Sequence, residues 1–200
     1  MKTKPIPRRT LLDIFVLGTK VVRSKLISRS IRMIRFPIDI RGRKYIDFGK
    51  SLSIGKYCRL EVYRSSKINN PLLKFGERVQ LNDFVHITTM QSVEIGNNVL
   101  MASHIYISDC QHGFYSGQNA SNPNEHPMER DYLIAPVRIE DDVWIGEHVS
   151  ILPGVTIGKG TVIGANSVVT KSIPAYSIAV GSPAKVVKQW DNDNKTWKRV

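Results

Sequence analysis

From Ile139 onward a branched aliphatic residue recurs at every sixth position: Ile139, Ile145, Ile151, Ile157, Ile163 and Val169. Glycine follows it in Ile145-Gly146, Ile157-Gly158 and Ile163-Gly164, and a second aliphatic stands four positions on at Val143, Val149 and Val155. An earlier stretch repeats the spacing as Phe75-Gly76, Leu81 and Ile87, slips by two, and resumes as Ile95-Gly96, Met101 and Ile107. A weaker start lies at Ile40, Ile46 and Leu52. A period of six matches neither the 3.6 of an amphipathic helix nor the alternation of a half-buried hairpin strand. It matches a coil of three short strands per turn, each aliphatic pointing into a triangular core, with Gly or Asn easing the chain around the corners. The pattern predicts an all-β body over residues 39–183, a parallel β-helix of hexapeptide repeats.

The spacing fails over the 31 residues between Ile107 and Ile139. The segment 112–136 reads HGFYSGQNASNPNEHPMERDYLIAP, rich in Gly, Asn, Ser and Pro, and predicts a loop thrown out of the coil. A long loop on a regular scaffold usually carries function. The two ends differ from the body. Residues 1–38 form a basic segment in which 8–36 hold one glycine and no proline, so a helix or two is expected there. Its apolar stripe, Leu12, Phe15, Val22, Leu26 and Met33, is interrupted by Arg23. In 184–200, Ala184–Trp190 is read as a short helix closing the open end of the coil, followed by a polar tail from Asp191.

Charge changes the picture in one place. Residues 1–44 carry 13 Lys/Arg against 2 Asp/Glu, a net of +11, whereas residues 45–200 carry 16 against 15, a net of +1. The body is thus no nucleic-acid surface, and an anionic partner would meet the first 44 residues. The uncharged run Ser172–Ala184 is 13 residues, short of the roughly 18 that suggest a transmembrane helix. Leu11–Gly18 includes Asp13 and is followed by no small-residue cleavage site, so a secretory signal is not expected. Two cysteines, Cys58 and Cys110, make no disulfide framework and suit a reducing cytoplasm.

The run Val155–Lys171, then Ile173-Pro174 and Gly181-Ser-Pro-Ala-Lys185, resembles the hexapeptide-repeat acyltransferases, in the branch of galactoside, maltose and xenobiotic acetyltransferases. The stretch Ile107–Tyr115 is most similar to the O-acetyltransferases of cell-surface polysaccharide synthesis. The resemblance covers about residues 40–190. It implies a left-handed coil, a homotrimer with active sites in clefts between neighbouring coils, acetyl-CoA as donor, no metal, and direct transfer to a saccharide acceptor.

The resemblance also names candidate residues. A catalytic histidine five positions past the last core aliphatic falls here on His112. The chemistry wants one: a sugar hydroxyl attacks a thioester poorly until a base takes its proton, and imidazole is basic enough near neutral pH. The departing CoA thiolate needs little protonation. Asn82 aligns with an asparagine beside the cleft or is a corner residue of the coil. Asp109 either orients the imidazole or forms a turn, and Tyr115 is a candidate acceptor contact. Cys110 invites a Cys–His nucleophile reading. For the donor, the resemblance points to Trp144, Gly146, Ala165, Thr170, Lys171, Gly181, Lys185 and Lys188, with small residues admitting pantetheine and lysines meeting phosphate. Trp144 could equally pack a trimer interface, and each lysine could be a solvated surface charge.

Of the other histidines, His86 beside core Ile87 is expected to face outward, His104 and His148 are in-coil polar positions, and His126 in the loop rivals His112 as the base. The galactoside branch's acceptor-contacting carboxylates are replaced here by Thr88-Thr89-Met90, so a galactoside acceptor does not carry over. The basic N-terminal segment instead suggests a phosphate-bearing or lipid-linked sugar near the membrane's inner face, or a trimer-packing arm. Competing readings are an amino-sugar N-acetyltransferase, a non-catalytic assembly coil, and a zinc enzyme of the carbonic anhydrase kind using His86, His104 and His112, whose spacing does not resemble that family.

Overall fold

The computed structural model describes residues 10–63 and 72–200. The body is a coil with three faces. Parallel strands Met33–Ile34, Ser53–Ile54, Gln80–Leu81, Leu100–Met101, Trp144–Ile145, Val162–Ile163 and Ser177–Gly181 stack on the first face. Ile38–Arg41, Cys58–Val62, His86–Thr89, Tyr106–Ser108, Ser150–Ile151 and Val168–Val169 form the second. Ile46–Asp47, Leu73–Phe75, Val93–Ile95, Val137–Ile139 and Thr156–Ile157 form the third.

The six-residue period becomes vertical register. Leu81, Met101, Ile145 and Ile163 pair in one column, Leu60, Ile87, Ile107, Ile151 and Val169 in a second, and Phe75, Ile95, Ile139 and Ile157 in the third. All of them are buried. Backbone hydrogen bonds run between coils, and the rungs are two to five residues long. At the weak start, Ile54 rather than Leu52 takes the rung, and the coil already begins at Met33.

Gly160, Asn98 and Asn166 take left-handed corners as expected, but bulky residues take others. The left-handed positions between first and second faces are Tyr57, Phe84, His104, His148 and Asn166, with φ between 57° and 61°. The glycine after the core aliphatic answers a different need: a Cβ on Gly146 would lie 2.6 Å from the Ala165 nitrogen of the next coil. The side chains at the left-handed positions stack as rings, Tyr57 on Phe84 at 5.0 Å, Phe84 on His104 at 4.6 Å and His104 on His148 at 4.6 Å. Such contacts contribute about 0.5–1.5 kcal/mol per pair between aromatic rings and offset strained backbone.

Helix α1, Leu11–Ile27, lies over the first coil. Thr10 and Asp13 form a capping box at its start. The buried Ser24 hydroxyl accepts the Ile34 N–H at 2.6 Å, satisfying a donor on the edge of the first rung. At the other end the expected helix is absent. Ala184–Asp191 is a strand, antiparallel to Ser177–Gly181, and Thr196–Arg199 pairs with it in turn. The last rung presents unpaired N–H and C=O groups that a strand satisfies and a helix does not. Trp190 and Trp197 meet edge-on across this hairpin at 5.4 Å. The tail from Asp191 is therefore structured, its turn held by the Asp191 carboxylate accepting from the Asp193 and Asn194 N–H groups.

Candidate active site

The excursion leaves the second face after Tyr106–Ser108. Cys110–His112 pairs antiparallel with Tyr132–Ile134, so the loop 112–136 stands on a two-stranded stalk. Its foot is clamped. The fully buried Asp109 carboxylate accepts the N–H groups of Met90, Gln91 and Ser92 at 2.7–2.8 Å, and the Asp109 carbonyl accepts the Ala135 N–H at 2.8 Å. Ala135 in turn accepts the Gly154 N–H at 3.0 Å. Asp109 is thus a structural carboxylate that ties the stalk to the coil below, and the expected role of orienting His112 is corrected: both its oxygens are turned to backbone.

His112 is exposed at the tip of the stalk, its ring 4.4 Å from that of Tyr132. The Tyr115 hydroxyl donates to the His112 carbonyl at 2.6 Å, so Tyr115 fixes the backbone of His112. Gly113 permits this, because it sits at φ +86° and a Cβ there would be 2.9 Å from the Tyr115 oxygen. Arg130 then gathers the loop, donating to the Tyr115 oxygen at 3.2 Å and to the carbonyls of Pro123 and Glu125 at 3.2 and 2.9 Å.

A cavity of about 440 Å³ opens against His112, with Tyr132, Tyr106, Thr88, Met90, Cys110 and Glu61 among its walls. Glu61 is the residue that sequence reasoning missed. It stands directly beneath Thr88 in the second-face register, and its side chain is 4 % exposed. One carboxylate oxygen accepts from Arg59 at 2.7 Å and is ion-paired with Arg41 at 3.0 Å, and the other faces His86 Nε2 at 2.9 Å. Burial pushes this carboxyl up, but hydrogen bonds from Arg59 and His86 outweigh it and hold the group below the ordinary carboxylate range. It is ionised at neutral pH. His86 also lies 3.0 Å from the Thr88 hydroxyl.

Cys110 is disfavoured as a nucleophile. Burial raises its thiol above the ordinary cysteine value, which keeps it protonated at neutral pH. Cys58, deeper in the core, is pushed up to about 11 by burial. His126 lies exposed in the loop, its Nδ1 accepting the Met128 N–H at 3.3 Å, outside the cavity walls.

Asn82 lines a different cavity, with Leu17, Val21 and Arg32, and its side-chain oxygen accepts from Gln80 at 3.0 Å. Of the donor candidates, Thr170 and Lys171 are exposed at the corner from which the excursion leaves, two coils further on. Trp144 is half-exposed on the first face between Leu100 and Val162, and Gly181, Lys185 and Lys188 belong to the terminal hairpin. Ala165 is exposed, and Gly146 is buried beneath it, where the missing side chain lets the coils stack. The suggested His86, His104 and His112 trio is not assembled within the chain: His86 faces Glu61, and His104 stacks with His148 at the first corner. Among the described residues, the cluster with ligating atoms within 4.8 Å is His104, Glu147 and His148, all exposed.

A model of the bacterial transferase hexapeptide (six repeats) matches residues 136–171. WbbJ of Escherichia coli K12, named for O-acetyl transfer in lipopolysaccharide biosynthesis, is 39 % identical over the whole of both chains. The chain belongs to the hexapeptide-repeat transferases. As a member of this family it is an acyltransferase with the left-handed parallel β-helix fold. Among solved structures, a galactoside acetyltransferase in complex with coenzyme A is 27 % identical with a TM-score of 0.53, over 86 % of this chain and 72 % of that one. The N-acyltransferase AntD from Bacillus cereus, in complex with a dTDP-amino sugar and coenzyme A, shares the fold at TM-score 0.68 and 20 % identity, over 86 % and 91 %. The hexapeptide-repeat body is thus common to this chain and both solved proteins.

Proposed function

We propose that this protein is a cytoplasmic, homotrimeric O-acetyltransferase that moves the acetyl group of acetyl-CoA to a saccharide hydroxyl, in the making of a cell-surface polysaccharide. The observation that carries the reading is His112, exposed on a rigid stalk at the mouth of a cavity with an ionised carboxylate in its wall. The imidazole takes the proton from the acceptor hydroxyl as its oxygen attacks the thioester carbonyl. The C–S bond then breaks, and the sulfur leaves as a thiolate that can recover the proton from the imidazolium. His112 needs no covalent intermediate for this, and Cys110 in its thiol form supplies none.

Glu61 is the second element of the proposal. The acceptor-contacting carboxylates that the resemblance leads one to seek at Thr88–Met90 are missing, and Glu61 offers one from the coil below. A sugar hydroxyl donating to it would lie between Thr88 and His112. Thr88, Tyr106 and Tyr132 add hydroxyls to the walls that suit a polyol, and phosphate or lipid linkage is expected at the far end of the acceptor.

A trimer is supported by the outward faces. The third face alternates Asp47, Lys74, Glu94 and Arg138 and suits water, whereas the first face exposes Leu100 and Trp144 beside Tyr57 and Phe84 at its corner. Association of copies through those surfaces would cover them.

The test is acetyl-CoA consumption against a panel of saccharides and amino sugars, with molar mass by light scattering. Esters formed by wild type and abolished in His112→Ala support the reading. Transfer only to amines would replace it with N-acetylation, and activity untouched by His112→Ala would refute it.

A further inference from the structure

Helix α1 carries its apolar side away from the protein. Toward the coil it presents Leu17, Val21 and the buried Ser24. On the opposite side Leu11, Phe15, Val22 and Leu26 fall within about 60° of arc at 3.6 residues per turn. They are 87 %, 70 %, 64 % and 77 % exposed, and Leu12 beside them is 71 % exposed. A hollow along this side is lined by Phe15, Gly18, Thr19, Val22 and Arg23. A surface helix ordinarily turns such a stripe inward, and a contiguous exposed apolar strip marks a surface with a partner.

The charges say which partner. Arg23 and Lys25 flank the stripe and Arg29 follows it, all exposed, while Arg32 and Arg35 line the cavity on the coil side of the helix. Arg23 is held over the Phe36 ring at 4.1 Å, and the Lys25 ammonium donates to the carbonyls of Arg29 and Ile31, so the basic groups are fixed beside the stripe. The segment 1–44 has a net charge of +11. A second copy laid on the stripe would bring two such segments together, against strong like-charge repulsion. Nucleic acid would answer the charge but not the apolar stripe. A bilayer with anionic headgroups answers both. The helix is 17 residues long with four charged side chains, and no described helix is long and apolar enough to cross a membrane, so it would lie in the interface rather than span it.

We propose that α1 docks the protein in the plane of an anionic lipid surface, with Leu11, Phe15, Val22 and Leu26 inserted among the acyl chains and Arg23, Lys25 and Arg29 at the headgroups. The attraction of basic residues to such a surface is screened by salt. The docking stands whether the enzyme acetylates a hydroxyl or an amine.

The test is co-sedimentation of the full chain with vesicles of phosphatidylcholine alone or mixed with phosphatidylglycerol. Wild type is expected to pellet with the mixed vesicles, at least tenfold more than with the neutral ones, and to be released by salt. The triple variant Leu11→Gln, Phe15→Gln and Leu26→Gln, and separately the charge variant Arg23→Glu with Arg29→Glu, should each lose at least tenfold in partitioning, with melting curves and molar mass unchanged. Wild type left in the supernatant with both vesicles overturns the proposal. So does a fall in molar mass in the glutamine variant, which would make the stripe a contact between copies. Acetyl-CoA turnover on a soluble acceptor reports separately on the enzyme, so failure of docking is not confused with failure of the catalytic reading.

Discussion

Between Ile139 and Val169 each rung repeats the one before it so closely that core residues six apart can be exchanged in the argument without loss. Between Asp109 and Ala135 no residue has an equivalent in the coil above or below, and the chain there pairs antiparallel instead of parallel. The coil obtains its stability from identical contacts summed along an axis; the excursion hangs on a few specific ones, Asp109 at its foot and Arg130 in its head. Repetition makes a rigid frame but gives every coil the same chemistry. A site needs a place unlike all others, and this chain makes one by breaking its own period beside an exposed histidine.

The contrast can be broken at several points. His112→Ala should cost about 10²–10⁴-fold in acetyl transfer, and because the ring is exposed the melting temperature should stay put; calorimetry would show acetyl-CoA still bound. A rung should behave in the opposite way. Ile145→Ala is expected to destabilise by about 2–5 kcal/mol, read by denaturant titration, while the residual folded enzyme keeps its rate per site. Asp109→Ala tests the joint between the two regions. Removing a buried carboxylate with three backbone donors should cost about 2–4 kcal/mol, and the pH profile of transfer should keep its wild-type shape, since this residue does not touch the imidazole.

Smaller effects sharpen the picture within the cavity. Glu61→Gln should raise the acceptor KM about tenfold, or about 1.4 kcal/mol, with acetyl-CoA affinity unaltered. Glu61 also sets a pH dependence. Its carboxyl lies below its unfolded value, so its contribution to stability is complete above the ordinary carboxylate range and is lost as the pH falls through the lower folded value. Acid melting of wild type should therefore be steeper than that of Glu61→Gln, and equal slopes would remove the buried ion cluster from the account. Cys110→Ala should leave activity within a few-fold of wild type; an inactive but folded variant would reopen the thiol as a participant.

The period of six is enough to read the three-faced coil and the position of the break, because core rungs must repeat for coils to stack. What repeats poorly was read poorly. The closing helix over Ala184–Trp190 was the wrong element: the spacing gives no sign that the last rung leaves an edge for a strand to pair with. Gly160 and Asn166 hold left-handed corners, but the glycine after a core aliphatic clears space for the next coil, as Gly146 does under Ala165. Glu61 went unnoticed because its significance lies in what stands above it, and Thr88 is 27 positions away in sequence. Asp109 was visible as a candidate, but only the fold shows that its oxygens face Met90–Ser92 instead of His112.

The covered ends of the coil have one more consequence. A stack of parallel rungs with unpaired backbone at top and bottom is a fibril in miniature, and each end is a template for another molecule's strands. Here Ser24 and α1 occupy the first rung, and the Trp190–Trp197 hairpin occupies the last. Terminal caps of this sort keep a repeat protein from growing end to end. Lateral association through the faces is left open while axial polymerisation is blocked, so removing 184–200 should let particles pair through the bared last rung, and growth beyond such pairs should need the loss of α1 as well.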